Sequence, residues 1–502
     1  RYHQLLSRKR RGIKSDGGAM RVALVNTNMI VPPIAPIGLD YLAEVLCASG
    51  HQAEILDLCW EERWEQAIAG FLGGGEHALV GVSIRNTDDC SFATRTSFLP
   101  DHVAVVKCIR EHTDAPIVLG GVGFSIMPEA VLARCGADAG IWGEGEFTLG
   151  EIAGRLEKNL PWNDLPGLIS RFGGTWRRNP GVSRPLAGLP PMSRGFLDNR
   201  RYFREGGQAG IETKRGCPRP CIYCADPVAK GKTVRVRPPE SVADELVHLV
   251  SLGIDHIHTC DSEFNIPADH AADVCREIVR RGLGDRLRWY AYCAPVPFTA
   301  DLACLMRRAG CAGINFGTDS GDNRMLKLLG RDFRGEDILR TARLCRDAGI
   351  GVMFDLLVGG PGETRESIVR TVSVLKQTEP DCVGVAVGVR VYPGTKLTGM
   401  IAGNARKRGV VGGDDLADPV FFLEPEVAPY VFGLLDDLTK GDSRFLFFDP
   451  TRPERNYNYN ANRVLADAIR AGYRGAYWDI LRRCPQNRDD NLEKFTGKRP
   501  LS

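Results

Sequence analysis

Short apolar runs rich in β-branched residues alternate with amphipathic segments in two successive series along this 502-residue chain. The first series begins with RVALVN at residue 21 and ends with AGIWGEG at residue 145. Strands that alternate with helices in this way are joined by crossover connections, so they form parallel sheets with helices packed on their faces. The sequence therefore predicts an α/β fold, with a doubly wound, Rossmann-like domain at residues 21–157.

The second series begins with GIETKRG at residue 210 and reaches YPGT at residue 395. Its six strand-and-helix repeats predict a partial (β/α)6 barrel over residues 205–400. Six prolines between Pro161 and Pro191 predict a surface linker at 158–204. Residues 401–502 are predicted to form a small, mostly helical C-terminal region, with helices near 461–472 and 477–483.

The balance of charge and hydropathy excludes several classes of protein. The net charge is only +3, which gives no electrostatic argument for nucleic acid or a membrane surface as a partner. Basic residues near the start lack the apolar run of a secretion signal, so residues 1–20 are interpreted as a disordered leader. Most of the 16 cysteines lie singly in apolar patterns, as expected for buried thiols in a cytoplasmic protein.

Ligands of a doubly wound sheet bind beyond the carboxyl ends of its strands. In the first domain those positions are rich in glycine and small polar residues. The candidate ligand-binding residues that follow the third, fourth and fifth strands are Ser83, Arg85, Asn86, Gly120, Gly121, Gly143 and Glu144.

One cluster of cysteines has the spacing of metal ligands. GCPRPCIYC places Cys217, Cys221 and Cys224 in a CxxxCxxC arrangement just after the first strand of the second series. A zinc site would require a fourth Cys or His nearby, and none follows within the next 20 residues. In a 4Fe-4S cluster, three thiolates leave one iron open to another ligand. The spacing favours an iron-sulfur cluster, with structural zinc as the alternative.

With Tyr223 before its last cysteine, this motif resembles that of the radical S-adenosylmethionine superfamily. CDSEFN at 260–265, GTDSG at 317–321, GGPGET at 359–364 and YPGT at 392–395 follow in the order expected along the barrel. The resemblance implies that S-adenosylmethionine binds the open iron. By analogy, Asp319 and Ser320 face its ribose or methionine part, and Gly359 and Gly360 admit the adenosine. The alternative is that these are turn glycines and a helix-capping aspartate.

The first domain resembles the cobalamin-binding domain of one radical S-adenosylmethionine subfamily. The matching segments are PPIAPIGLDYLAEVL, GGVGFSIMPE and GIWGEGE. The DxHxxG sequence that supplies a histidine ligand to cobalt is absent, and NTNMIVPP stands in its place. The resemblance therefore implies cobalamin without a protein histidine, with Arg85 directed toward the lower face of the cobalt. Alternatively, Arg85 pairs with Asp88 or Asp89.

The resemblance implies a C-methyltransferase that moves the S-adenosylmethionine methyl group through methylcobalamin to a carbon of a small-molecule or peptide-derived substrate. An external donor of the flavodoxin or ferredoxin type would supply electrons. A cobalamin-dependent radical enzyme that cyclises, oxidises or rearranges a ring is the alternative, and a non-catalytic cobalamin or metal sensor is a more remote one. Release of S-adenosylhomocysteine discriminates methyl transfer from ring chemistry.

In a few residues the chain resembles the tryptophan 2-C-methyltransferases of this subfamily. Arg85, Glu263 and the missing histidine carry that likeness. It implies that an aromatic carbon is methylated without a free radical, with Glu263 reaching the cluster and Tyr290 or Tyr292 acting as a base. The alternatives are that Glu263 pairs with an arginine and that both tyrosines are packing residues.

Overall fold

The structure is a computed structural model that describes residues 19–74, 76–172, 175–402, 407–447 and 462–484. Two large sheets dominate it, and both consist mainly of parallel strands. The predicted leader falls almost wholly on residues 1–18, outside the described residues. Within the described ranges, no helix combines the length and the hydropathy needed to cross a membrane.

The first sheet contains seven strands in the order β2-β1-β3-β4-β5-β6-β7. Its first five strands are parallel, as the alternation predicts, and their apolar side chains are buried on both faces beneath helices. The strands are β1 (Arg21–Asn26), β2 (Gln52–Asp57), β3 (Leu79–Ser83), β4 (Ile117–Gly120), β5 (Ala139–Ile141), β6 (Leu168–Phe172) and β7 (Thr175–Arg178). The helices are α1 (Ile37–Ala48), α2 (Trp64–Gly73), α3 (Leu99–His112), α4 (Val122–Ile126), α5 (Pro128–Cys135) and α6 (Glu146–Glu157).

The segment predicted to be a linker is more ordered than expected. Strands β6 and β7 pair antiparallel and extend the first sheet beyond β5. Helix α7 (Asn199–Gly206) then leads into the barrel. The prolines and arginines of this stretch hide the strand pattern, because β7 is exposed along its whole length and carries no apolar alternation.

The second sheet contains seven parallel strands in the order β19-β15-β14-β13-β12-β11-β8 and forms an open barrel. Six of these strands correspond to the six predicted repeats, and β19 adds an edge strand that the sequence did not reveal. The strands of the sheet are β8 (Ala209–Ile211), β11 (His256–Thr259), β12 (Arg288–Cys293), β13 (Cys311–Asp319), β14 (Gly351–Val358), β15 (Cys382–Val387) and β19 (Phe445–Phe447). The remaining short strands are β9 (Lys214–Arg215), β10 (Arg235–Val236), β16 (Val389–Arg390), β17 (Val410–Val411) and β18 (Phe421–Phe422).

Helices cover the outer face of this sheet, and the main apolar core lies between the two layers. Alternate residues of each strand therefore point outward to the core or inward to the barrel interior. The helices of this half are α8 (Asp226–Ala229), α9 (Pro239–Ser251), α10 (Ala268–Arg280), α11 (Ala300–Arg308), α12 (Asn323–Leu328), α13 (Gly335–Ala348), α14 (Arg365–Thr378), α15 (Lys396–Ile401), α16 (Val431–Thr439), α17 (Arg463–Arg470) and α18 (Tyr477–Arg483).

The last two helices close the barrel at the end where its strands begin. Trp478 of α18 lies against Gly313 and Gly351, near the starts of β13 and β14. The sequence predicted both helices within a few residues of their observed bounds. Their apolar faces form a small core of their own with the interior side of the barrel.

Candidate active site

The three motif cysteines lie on the loop between β9 and α8. Cys217 is buried, and Cys221 and Cys224 are half-buried. The loop begins at Gly216, whose φ is +90° and where an added Cβ would lie 2.2 Å from the carbonyl oxygen of Thr233. Only glycine fits such a position, so the start of the loop is fixed by the absence of a side chain.

The thiols fit a cluster better than they fit a single ion. In the described part of the chain, no three His, Cys, Asp or Glu side chains are gathered closely enough to hold one metal ion. That arrangement disfavours zinc, whereas each thiolate of a 4Fe-4S cluster can bind a different iron. Burial raises the pKa of all three thiols, so their ionised forms need a compensating positive charge.

Arg331 supplies part of that charge beside the loop. Its Nη1 lies 2.8 Å from the Sγ of Cys221, and its Nε lies 3.3 Å from the carboxylate of Asp319. The same carboxylate accepts a hydrogen bond from the hydroxyl of Tyr223 at 2.5 Å. The sequence-predicted residues Tyr223 and Asp319 are thus brought together at the cysteine loop, and Arg331, which the sequence did not single out, joins them.

Glu263 is buried on the same side of the barrel. Its Oε1 lies 3.8 Å from Nη2 of Arg331, and its Oε2 is buried without a hydrogen-bond partner among the described residues. Burial raises the pKa of Glu263 to about 7, although the charges of Arg331, Arg219 and Lys214 oppose the shift. The charge of Glu263 in turn helps to raise the pKa values of Cys217 and Cys221 after the larger effect of burial. A buried carboxylate oxygen without a donor, close to these thiols, fits a metal ligand.

Three other residues predicted to contact S-adenosylmethionine have structural contacts. The hydroxyl of Ser320 lies 2.8 Å from that of Thr371 and accepts a hydrogen bond from the backbone of Asp322. An added Cβ would lie 2.3 Å from Leu423 at Gly359 and 2.9 Å from Leu329 at Gly360. These glycines therefore admit neighbouring leucine side chains, and the φ of +91° at Gly359 agrees with the alternative of a turn glycine.

A cavity of about 190 Å³, partly open to solvent, lies at the carboxyl edge of the first sheet. Leucine, valine and glycine residues of the sheet and of α1 and α6 form most of its wall, and Glu212, Arg215 and Lys230 of the barrel half complete it. Five residues predicted from strand ends line it: Ser83, Gly120, Gly121, Gly143 and Glu144. Its apolar, glycine-lined wall fits a flat aromatic group such as the base of cobalamin.

The other two predicted strand-end residues, Arg85 and Asn86, are not among the described residues that line this cavity. Nη1 of Arg85 donates to the Oδ1 of Asn86 at 3.2 Å, and the Asn86 carbonyl is 2.9 Å from Nε2 of His102. Burial and Glu212 raise the pKa of the Cys260 thiol to about 11, and the charge of Arg85 opposes the shift. The guanidinium is therefore close to the carboxyl end of β11. Of the two alternative partners of Arg85, Asp88 instead binds Arg390 at 2.8 Å, and Asp89 accepts a hydrogen bond from the hydroxyl of Thr94.

Comparison with known proteins agrees with both halves of the chain. Residues 24–153 match the B12 binding domain family, and residues 211–375 match the radical SAM superfamily. The tryptophan 2-C-methyltransferase of Streptomyces laurentii is 34% identical over 435 residues, covering 74% of this chain and 73% of that protein. The chain belongs to the cobalamin-dependent radical S-adenosylmethionine C-methyltransferases.

Solved structures agree with this membership. The radical S-adenosylmethionine methyltransferase TsrM from Kitasatospora setae, with tryptophan and an S-adenosylmethionine analogue bound, superimposes with a TM-score of 0.85 at 31% identity. The match covers 92% of this chain and 97% of that one. The cobalamin-dependent enzyme OxsB shares the fold, with a TM-score of 0.71 at 18% identity over 85% of this chain and 68% of that one. The cofactors of this methyltransferase are therefore a 4Fe-4S cluster, S-adenosylmethionine and cobalamin.

Within the barrel of this methyltransferase, the two predicted tyrosines differ in depth. Tyr290 is buried near the closed end, where its hydroxyl donates to Oδ2 of Asp479 at 2.8 Å and its ring meets Trp478 edge to face. This packing is at variance with the expectation that Tyr290 acts as a base. Tyr292 is 41% exposed on the same face of β12, and its ring lies 5.1 Å from that of His258.

Asp355 of β14 is a further interior residue that the sequence did not single out. It is half-buried and accepts a hydrogen bond from the side chain of Asn315. The signal that would have found it is the interruption of the apolar run VMFDLLV by one acid. An acid inside such a strand must face something other than the apolar core.

Proposed function

We propose that this methyltransferase transfers the methyl group of S-adenosylmethionine to a ring carbon of tryptophan or of a closely related indole. The observation that carries the proposal is Oε2 of Glu263, a buried carboxylate oxygen without a donor next to the cysteine loop. A carboxylate on the open iron would take the position that S-adenosylmethionine occupies in ordinary radical enzymes. That arrangement favours polar methyl transfer, which suits an electron-rich aromatic carbon. The relatives that act on or bind tryptophan support the choice of substrate.

In this proposal, Cys217, Cys221 and Cys224 hold the cluster, and Glu263 binds its open iron. Arg331 balances part of the negative charge, since it contacts both Cys221 and Asp319. The glycine-lined cavity would hold the base of cobalamin, and Arg85 would place a positive charge toward the barrel half in place of a histidine ligand. Cobalamin, when bound, supplies a cobalt centre that accepts a methyl group and passes it to carbon.

Tyr292 is the residue proposed to accept a proton from the substrate. Its ring stands on the interior face of β12, since the alternate residues Ala291 and Cys293 belong to the outer core. Methylation of a ring carbon forms a carbon–carbon bond and breaks a C–H bond, so one proton must leave the ring. A hydroxyl that borders the interior can take part in that transfer, whereas Tyr290 is buried near the closed end of the barrel.

The electron source and the compartment are also proposals. A flavodoxin or ferredoxin would supply the electrons that keep cobalt reduced. We propose the cytoplasm as the compartment, because a reducing environment preserves thiols such as the three cluster cysteines, and none of the 16 cysteines is paired in a disulfide.

The decisive experiment uses holoenzyme purified anaerobically with its cluster and cobalamin, given tryptophan and S-adenosylmethionine carrying a deuterated methyl group. Mass spectrometry should find methyltryptophan with the whole deuterated methyl group, together with one S-adenosylhomocysteine per product. Glu263→Gln with a full complement of iron and cobalamin should lose most of this activity. Failure of the wild-type enzyme to methylate tryptophan or any indole in a substrate panel would overturn the proposal.

A further inference from the structure

Asp355 lies in the barrel wall between two glycines of the neighbouring strands. In the strand register it is flanked by Gly317 on β13 and by Gly384 on β15. Neither strand neighbour therefore has a side chain of its own, and the guanidinium of Arg331 reaches the level of Gly317, where its Nη2 donates to the Gly317 carbonyl oxygen. Its outward neighbours Phe354 and Leu356 belong to the main core, so Asp355 itself points inward.

Among the described residues, Asp355 has a hydrogen-bond donor but no ion-pair partner. Asn315 donates a hydrogen bond to it, and the amide oxygen of Asn315 is fixed in turn by the indole N–H of Trp478 at 2.6 Å. The charged groups that act on Asp355 are the carboxylates of Asp319 and Glu263. Across the described ranges, Asp355 forms no ion pair. Arg331, the nearest of the cations that act on Glu263, contacts Asp319, Cys221 and the Gly317 carbonyl.

An ionised carboxylate in this position is costly unless a ligand brings a positive charge. Burial raises the pKa of Asp355 to about 7, and Asp319 and Glu263 raise it further, while Asn315 opposes the shift. A metal ion does not suit the position, because the described residues gather no set of three acidic, histidine or cysteine ligands. A ligand with a primary ammonium group supplies both the charge and the hydrogen-bond donors.

We propose that Asp355 binds the α-ammonium group of the amino-acid substrate. This assignment deepens the proposed function and rests on it. S-adenosylmethionine also carries an α-ammonium group, so the test must distinguish the ammonium group of the substrate from that of S-adenosylmethionine. The hydrogen bond from Asn315, which Trp478 holds from the closed end, ties Asp355 to the inner part of the barrel. Asp355 would thus hold the amino-acid part of the substrate while the ring faces the cofactors.

The test compares tryptophan with indole-3-propionate, which has the same ring and carboxylate but no ammonium group. Asp355→Asn holoenzyme should bind tryptophan at least about tenfold more weakly in equilibrium dialysis, as expected for the loss of a charged hydrogen bond. Its affinities for indole-3-propionate and for S-adenosylmethionine should change less than about twofold, which is well below the tenfold loss of affinity expected when a charged hydrogen bond is removed. Asp437→Asn, the same substitution on the exposed surface of α16, is the matched control and should bind all three ligands as wild type does.

Other outcomes would overturn the assignment. Equal weakening of tryptophan and indole-3-propionate would mean that Asp355 only shapes the pocket. Weaker binding of S-adenosylmethionine alone would assign its ammonium group to Asp355 instead. If Asp355→Asn lacks iron or cobalamin, Asp355→Glu provides the second variant and should retain preference for the ammonium ligand. A wild-type enzyme that binds tryptophan through Asp355 but does not methylate it would contradict the proposed reaction and leave this binding site standing.

Discussion

At the scale of single residues, depth along the barrel separates side chains that look equivalent. Tyr290 and Tyr292 lie two positions apart on one face of β12, so both point inward. The hydroxyl of Tyr290 is held by Asp479 under Trp478, whereas Tyr292 borders the interior. A proton acceptor must reach the substrate, and for this reason the outer tyrosine of the pair is the one proposed as the acceptor.

Replacement of each tyrosine by phenylalanine tests this difference. Tyr292→Phe should lower the initial rate of methyl transfer by about 10²-fold or more, as for the loss of a positioned proton-transfer group. Tyr290→Phe should keep most of the activity and lower the free energy of unfolding by about 1 kcal/mol, because it loses one buried hydrogen bond. Rates are compared at equal iron and cobalamin content. A Tyr292→Phe enzyme as fast as wild type would remove the tyrosine from the mechanism.

Glu363 allows a prediction of pH dependence. Its side chain is buried, and burial raises its pKa from an ordinary value near 4.5 to about 7. Hydrogen bonds from Ser367 and from the Gly359 backbone oppose this shift. The charge of Asp322 adds to the shift, and the charge of Arg324 opposes it. The raised pKa favours the protonated form in the native state. The contribution of Glu363 to stability is therefore fully present below about pH 4.5 and is lost as the pH rises through 7.

Glu363→Gln should remove this dependence. Between pH 4.5 and 8, the free energy of unfolding of the variant should rise relative to wild type by about 3 kcal/mol. Urea denaturation at a series of pH values measures the difference. A constant difference across this range would show that the pKa of Glu363 is the same in the folded and unfolded states.

At the scale of elements, the C-terminal helix α18 acts as the floor of the barrel. Trp478 lies against Gly313 and Gly351, where an added Cβ would lie 2.8 Å and 3.3 Å from its ring. Its indole N–H donates to Asn315, and Asp479 accepts from Tyr290. Two glycines in the strands and one tryptophan in the helix thus form a complementary contact, which closes this end of the barrel.

Removal of the Trp478 side chain should lower the stability of the protein strongly. Trp478→Ala should lower the free energy of unfolding by about 3–5 kcal/mol, because it leaves a cavity and an unsatisfied amide oxygen on Asn315. Arg470→Ala on the exposed side of α17 is the control and should change it by less than about 0.5 kcal/mol. Chemical denaturation measures both. A loss below about 1 kcal/mol for Trp478→Ala, the size of an ordinary substitution, would show that α18 is not an integral part of the barrel.

At the scale of the whole molecule, a buried network of ions joins the two halves. Arg194, in the segment between them, contacts Asp40 of α1 at 3.1 Å and Glu245 of α9 at 2.8 Å. It also donates to the carbonyl of Gly210 at the start of the barrel. The cavity at the carboxyl edge of the first sheet has walls from both halves of the chain. This network therefore also holds the two walls of the cavity in place.

Arg194→Met should therefore destabilise the docking of the two halves. The substitution keeps much of the side-chain volume but leaves Asp40 without its arginine, which should cost about 3–5 kcal/mol of unfolding free energy. Arg200→Met on an exposed face of α7 is the matched control. Denaturant unfolding and cobalamin retention during gel filtration are the measurements. Unchanged stability and retention would mean that the halves are held together by other contacts.

The sequence by itself determined the two parallel sheets and the cysteine loop, because strand alternation and ligand spacing are local properties of the chain. It also indicated the strand-end residues that line the cavity, since parallel strands bring their carboxyl ends to one edge. The antiparallel pair β6–β7 and the edge strand β19 escaped detection because neither has a local pattern strong enough to reveal its partner.

Only the tertiary structure decided which residues act together. Arg331 is 110 positions from Cys221, and Asp479 is 189 positions from Tyr290. It separated Tyr290 from Tyr292 and showed that Gly359 and Gly360 admit leucine side chains. It also brought Asp355 into a barrel interior between two glycines. Burial, charge compensation and depth depend on contacts between distant segments, and a linear pattern carries no record of them.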